Sequence, residues 1–272
     1  MVIQAIAPAA STLTVVRVAA LYDIHGNDAA LDAVLAELDD LGVDLIVIGG
    51  DVAGGPFPRE TAERVLALGD RAIVIRGNGE RELVEARLRL DAGAARLDPG
   101  DIWSSRTHWA AGVLERSRLD WMGQLPPLSS VEIDGLGDVL FCHGSPRSDE
   151  EILTPLSPPE RIAPMLAGIA QRTVVLGHTH VQFDRHVGGV RLVNAGSVGM
   201  PYEGRAAAFW ALLGPDGVEL RSTGYDVAAT CARILVSGIP DARDYSEGIA
   251  RPPGAGEASE FFERMATRPE NV

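Results

Sequence analysis

Five short clusters in the sequence join imidazole, carboxylate or amide side chains to glycine: Asp23-Ile-His25-Gly26, Gly50-Asp51, Gly77-Asn78, His143-Gly144 and Gly177-His178-Thr179-His180. They fall where apolar, strand-forming runs stop, the usual place for sites in open α/β sheets. Side chains alternate faces along extended backbone, so Asp23 and His25 can point to one side, and so can His178 and His180. Two such pairs can grip metal. Mixed imidazole and carboxylate ligands suit Mn, Fe, Zn, Ni or Co, whereas an all-oxygen cage would suit Mg or Ca. Taken singly, these clusters say little. A lone Asp-x-His after a strand is more often a helix cap, and Gly-Asp and Gly-Asn are ordinary turn dipeptides. His-x-His is more telling, because two imidazoles so spaced seldom arise without ligation. The conjunction decides it: four of the six histidines lie in these clusters, leaving His108 and His186 as ordinary.

The elements that must position these residues alternate in the first half of the chain as strand, helix, strand. Residues 15–22 read as strand one, and Asn27 to Leu41 as an amphipathic helix behind an Asn or Asp cap. Asp44 to Ile48, Pro58 to Leu68 and Ala72 to Ile75 complete a βαβαβ unit. Residues 80–124 read as a helical insert that could lie beside the site, broken near Gly93 and Asp98 to Asp101. Strands follow near 131 and 138, then a helix opened by Ser157, Pro158, Pro159 and Glu160, then TVVLGHTH. FDRHV, VRLVNAG, AAAFWALL and GVELRS read as antiparallel hairpins and suggest a second sheet. Tyr225 to Gly238 reads as a closing helix. Residues 239–272 read as a partly ordered tail and 1–12 as a disordered extension, leaving one domain over 13–238.

Composition narrows the function classes. The chain has 272 residues, 46% of them hydrophobic, enough for a sizeable core. Its formal net charge of −14 offers no electrostatic footprint for duplex nucleic acid or anionic lipid. Phosphate recognition must then be local, and bound divalent ions would supply that positive charge. Two cysteines are too few for a disulfide framework and suit a reducing cytoplasm. No apolar stretch is long enough to span a membrane, and the N-terminus lacks the positive region of a signal peptide.

In this order, D-x-H, GD, GN, H and GH-x-H resemble the signature of the calcineurin-like metallophosphoesterase superfamily, over residues 15–238. More narrowly, DIHGN, GDVAGGPFP, FCHGSPR and LVNAGSVGMP resemble the small bacterial and archaeal phosphodiesterases of the YfcE type. The resemblance implies an α/β fold, a four-layer α/β/β/α sandwich of two mixed β-sheets flanked by helices, with metals at the strand ends on one rim. It implies that Asp23, His25 and His180 hold one divalent ion, that Asn78, His143 and His178 hold another, and that Asp51 bridges them. A water shared by two such ions ionises near neutral pH and is the expected nucleophile. Both metals and the Asn78 amide would then stabilise the equatorial phosphoryl oxygens, and no phosphoenzyme would form. Mn is the expected metal, with Fe, Zn, Ni, Co or Mg as alternatives. Cys142, next to His143 on a strand, should face the opposite side, into the core.

The sequence departs from the superfamily at one position. Many members read GNH, and that histidine protonates the leaving oxygen; here the sequence is Gly77-Asn78-Gly79-Glu80. Relatives of the YfcE type also lack it. Either the substrate has a good leaving group, or a water or His108 substitutes, or turnover is slow. Glu80 and Arg147 are candidate substrate contacts, against the plainer readings of a helix start for Glu80 and a solvated surface position for Arg147. The expected activity is metal-dependent hydrolysis of a phosphodiester, with a monoester as a second activity, in a small-molecule or nucleotide substrate. The alternatives are a phosphoprotein or nucleotide phosphatase on the same scaffold, or a weakly active metal-binding regulator. A homo-oligomer is compatible with the sequence. An amidohydrolase or β-lactamase-like hydrolase is excluded, since neither an early His-x-His nor an HxHxDH run occurs.

Overall fold

A computed structural model describes residues 16–93 and 101–267; the expected N-terminal extension over 1–12 lies outside the described residues. Among these residues ten strands form two five-stranded mixed sheets. The first sheet has the order β10-β9-β1-β2-β3, built from β1 (Val18–Leu21), β2 (Leu45–Ile48), β3 (Ala72–Val74), β9 (Ala208–Gly214) and β10 (Gly217–Thr223). The second has the order β4-β5-β6-β8-β7, built from β4 (Leu128–Ile133), β5 (Gly137–Cys142), β6 (Thr173–Leu176), β7 (Phe183–Val187) and β8 (Val190–Asn194). The strands that deliver the site are parallel, β1 to β2 to β3 in one sheet and β5 to β6 in the other, so their carboxyl ends lie on a common rim.

Strand alternation divides the core into layers. Val18 and Ala20 of β1, Val47 of β2, Val139 and Phe141 of β5 and Val175 of β6 pack between the two sheets. The intervening Ala19, Leu21, Ile46 and Ile48 face the helices on the outside of the first sheet. Leu140, Cys142, Val174 and Leu176 face outward from the second. Cys142 thus points away from the side of His143, as its place on the strand requires, and burial raises its thiol pKa strongly.

Helix α1 (Asp28–Leu41) starts at Asn27, whose side chain accepts from Ala30 N, and stops at the left-handed Gly42. Its Leu31, Val34 and Leu38 pack on the first sheet, joined by Ala62 and Val65 of α2 (Pro58–Ala67). The expected insert consists of α3 (Asn78–Asp91), α4 (Ile102–Val113) and α5 (Arg116–Gln124), which extend this layer through Leu83, Ala110, Leu119 and Met122. The outer layer on the second sheet is thin: a one-turn helix, α6 (Pro159–Ile162), a 3₁₀ turn and the loop carrying Leu153.

One expectation is corrected. The four late hairpin strands do not share a sheet. β7–β8 join the second, while β9–β10 return to the first, where β9 pairs antiparallel with β1. Strand pairing is non-local, and Trp210 on β9 finds its apolar partners on the helix side of the first sheet. Residues 239–267, expected to lie in a partly ordered tail, are largely helical. After α7 (Val227–Ile234) they form α8 (Ala242–Ala250) and α9 (Ala255–Ala266). Ile239, Tyr245 and Ile249 bury against Phe57, Met200 and Ile234, partners that sequence proximity does not reveal. Among the described residues no helix is long and apolar enough to cross a membrane.

Candidate metal centre

β1 ends at Leu21 and β6 at Leu176, so Asp23, His25, His178 and His180 stand in loops just past the strands. Their backbone is not extended, as alternation along a strand would require. Asp23, His25, Asp51, His178 and His180 have φ of 54°, 45°, 55°, 66° and 56°. Only one other non-glycine described residue, Asp241, is in this region. L-residues pay about 1–2 kcal/mol each for this conformation, so the surrounding structure must enforce it. The loops are tied together: Asp23 N donates to Gly50 O, His25 N to Asp51 O and Gly26 N to Val52 O. Ser197 Oγ and Gly199 N both donate to Asp23 O, and Asn27 Nδ2 donates to Gly199 O. Gly177 is needed for close approach, since a Cβ there would lie 2.5 Å from Asp23 Oδ2.

The side chains converge in two clusters. Asp23, His25 and His180 bring one ligand atom each within 4.8 Å of one another, and so do Asp23, Asp51 and His143. His180 Nδ1 donates to the Met200 carbonyl at 2.7 Å, which turns the bare Nε2 inward to face His25 Nε2 at 3.0 Å. His143 Nδ1 likewise donates to Gly49 O at 2.9 Å, and its Nε2 meets Asn78 Oδ1 at 3.0 Å. Such outer partners fix the tautomer of a metal-binding imidazole. Asp51 spans the clusters, with Oδ2 3.6 Å from His25 Nε2 and Oδ1 3.5 Å from His143 Nε2. His178, half-buried, sets its ring 5.2 Å from that of His143. Asp23 Oδ1 is buried with no hydrogen bond, although it lies 3.3 Å from His180 Nε2. A buried carboxylate oxygen left unpaired among inward-facing imidazole nitrogens fits a cation and little else.

The electrostatics agree. Burial would raise the Asp23 pKa, yet His180, His143 and His25 outweigh it and hold the carboxyl well below the usual range. Burial lowers His25 and His178 to about 3, leaving both neutral and able to ligate. Asp51 moves the other way, to about 7, chiefly through burial. His143 is raised to about 9, because Asp51 and Asp23 override its burial. The Asp51–His143 pair therefore retains protons at neutral pH that a metal would have to displace.

The remaining candidates divide. Asn78 opens α3, with Nδ2 donating to Glu82 Oε1. Glu80 is no substrate contact: it is fully buried, and its carboxylate accepts from the backbone N–H groups of Asp51, Val52 and Gly77 at 2.8, 2.7 and 2.9 Å. It clamps the Asp51 loop to the β3–α3 turn. Arg147 is engaged by Glu151. His108 sits on α4 and belongs to neither side-chain cluster.

A model of the calcineurin-like phosphoesterase superfamily domain matches residues 16–213. The chain belongs to this superfamily. It is 26% identical over 243 residues to the uncharacterized protein MJ0912 of Methanocaldococcus jannaschii, spanning 82% of this chain and 94% of that one. A solved metallophosphoesterase from Sphaerobacter thermophilus is 26% identical, with a TM-score of 0.66 over 87% of this chain and 98% of its own. The hypothetical protein PH1004 from Pyrococcus horikoshii OT3 has the same fold, with a TM-score of 0.75 at 21% identity over 88% of this chain and 99% of its own.

Several residues escaped the reading of motifs. Asn194 donates to Gly177 O, Ser197 to Asp23 O, and Met200 supplies the carbonyl that orients His180, so LVNAGSVGMP is the strut behind both clusters. Tyr202 stacks on His180 with centroids 4.8 Å apart. Tyr245, from α8, donates to His25 O at 3.0 Å. The polar residues in LVNAGSVGMP were a signal available in the sequence; for Tyr202 and Tyr245 there was none.

Proposed function

We propose that the protein is a metal-dependent phosphoric ester hydrolase acting on phosphodiesters, with phosphomonoesters as a second activity. The observation that carries this reading is the pair of buried Asp/His clusters, joined at Asp23 and spanned by Asp51, with imidazole nitrogens turned inward. Asp23, His25 and His180 would hold one divalent ion, Asn78, His143 and His178 the other, and Asp51 both. Such ions polarise phosphoryl oxygens and bring the pKa of a water toward neutrality, which supplies a nucleophile. The mixed donor set suits Mn, with Fe, Zn, Ni, Co or Mg as alternatives. Asn78 stands at the amino end of α3, where the helix dipole favours an anion, and is placed to steady a phosphoryl oxygen. Gly79 offers no proton donor, so esters with good leaving groups should react fastest. The preference for diesters rests on the likeness of the loop motifs to phosphodiesterases. Both cysteines are free, which suits a cytoplasmic protein.

The test is turnover by the purified protein of a diester, a monoester and a carboxyl ester, with Mn²⁺ and each alternative metal. Phosphoester hydrolysis alone is the expected result, and its absence with every metal overturns the reading. Asp51→Asn should lose bound metal and activity together while keeping its circular dichroism spectrum.

A further inference from the structure

Beside the metal centre, on the His143 side, lies a cleft of about 370 Å³ whose walls carry Arg76, Arg81 and Arg147 with Ser145 and Ser148. Three guanidinium groups around one cleft are unexpected in a chain of net charge −14. Two of them are already neutralised. Arg81 is bound by Asp149 at 3.2 Å and Glu150 at 2.6 Å, and Arg147 by Glu151. Arg76 differs from both. Among the described residues its side chain has no ion pair or hydrogen bond, and its Nε is buried without a partner. Its backbone is fixed, with Arg76 N donating to Pro126 O at 2.8 Å, one residue past the buried Ile75 and two before Asn78. A half-buried guanidinium held this way loses water without gaining a protein acceptor, a cost that an anion in the cleft would recover. Its planar donors match the paired oxygens of a phosphate or carboxylate.

The cleft and the metal centre share the wall made by His143, whose Nε2 faces Asp51 and Asp23. We propose that Arg76 anchors a second anionic group of the substrate, a phosphoryl or carboxyl group, so that the preferred substrates are phosphoesters with a further negative charge close to the scissile bond. This rests on the phosphoesterase reading, and it names a specificity-determining residue that the sequence motifs do not mark.

Three p-nitrophenyl phosphodiesters with the same leaving group test it, one bearing an ethyl, one a carboxyethyl and one a phosphonoethyl substituent. In the native protein kcat/KM should favour one or both charged substrates. In Arg76→Gln that preference should fall about tenfold or more, mainly through KM, the size expected of a charge-assisted hydrogen-bonded pair, and Arg76→Lys should restore part of it. The charged substrate that loses more identifies the group. Calorimetric binding of pyrophosphate to the metal-free protein should weaken in Arg76→Gln by a similar factor. This measurement judges Arg76 even if no phosphoester is turned over. An equal fall for all three substrates, or an unchanged preference together with unchanged pyrophosphate binding, overturns the proposal. Thermal melting of each variant shows whether the fold is kept.

Discussion

At the scale of single residues, the centre is held under tension of two kinds, steric and protonic. Gly79 N donates to Asp51 Oδ1 at 2.7 Å, and a Cβ at residue 79 would lie 2.8 Å from that oxygen. A side chain at residue 79 would crowd the tip of Asp51, the flexible end of the residue proposed to bridge the metals. Gly79→Ala should shift the Asp51 carboxylate by a few tenths of an ångström and weaken metal binding by no more than a few-fold, read from metal content and titration. A loss of tenfold or more would show that Asp51 cannot turn aside. The protonic tension makes a second prediction. His143 and Asp51 are both raised, to about 9 and about 7, so near pH 7 the metal-free centre holds protons that ligation must expel. Metal uptake in weakly buffered solution should release protons, and affinity should climb as pH rises toward 9. His25 and His178, lowered to about 3, are already deprotonated there and contribute nothing to that slope. A pH-independent affinity would contradict this assignment.

At the scale of elements, one of the groups that fasten the C-terminal helices titrates. Glu263 of α9 accepts from Thr154 Oγ1, Ser157 Oγ and Arg161 Nη2 at 2.6, 2.6 and 2.5 Å, which ties α9 to the thin layer on the second sheet. Burial works against its charge, but these donors prevail and lower its pKa. A carboxyl whose folded pKa is depressed contributes stability above its ordinary pKa and loses it as pH falls through the depressed value. Glu263→Gln should cost about 1–2 kcal/mol in urea denaturation at pH 7. The gap from the native protein should close below about pH 4. An equal gap at both pH values would mean that packing, not charge, fastens α9. Much at this scale was legible from the chain. The β1–α1–β2–α2–β3 unit follows from apolar periodicity and from the Asn27 cap, both local signals. The return of β9 to the edge of β1 was not, since its alternation is the same in either sheet and only Trp210 packing on the helix side selects one. Helix α8 was hidden for the same reason: its apolar face is short, and Phe57 and Met200, which pack against it, belong to distant segments.

At the scale of the molecule, two sheets facing one another bring seven residues from five loops to one rim. Five of them, Asp23, His25, Asp51, His143 and His180, converge in the two side-chain clusters, and they stood out in the sequence because ligand chemistry allows few residue types. Glu80 stayed ambiguous for the complementary reason, since a buried carboxylate that clamps backbone and one that meets substrate look alike in sequence. The fold also reaches beyond the superfamily match over 16–213, for α8 delivers Tyr245 to the backbone of His25. Finally, the five left-handed residues of the centre set chemistry against durability. The protein forgoes thermal resistance at the very positions proposed to hold metal, a compromise and not an optimum for stability. Half-buried His178, at φ 66°, exposes the trade most cleanly. His178→Gly should abolish turnover yet leave the metal-free melting temperature unchanged or higher, because glycine adopts this conformation without strain. Inactivation and stabilisation would then come from the same substitution, and a clear fall in melting temperature would show that the histidine ring, not its backbone, holds the loop.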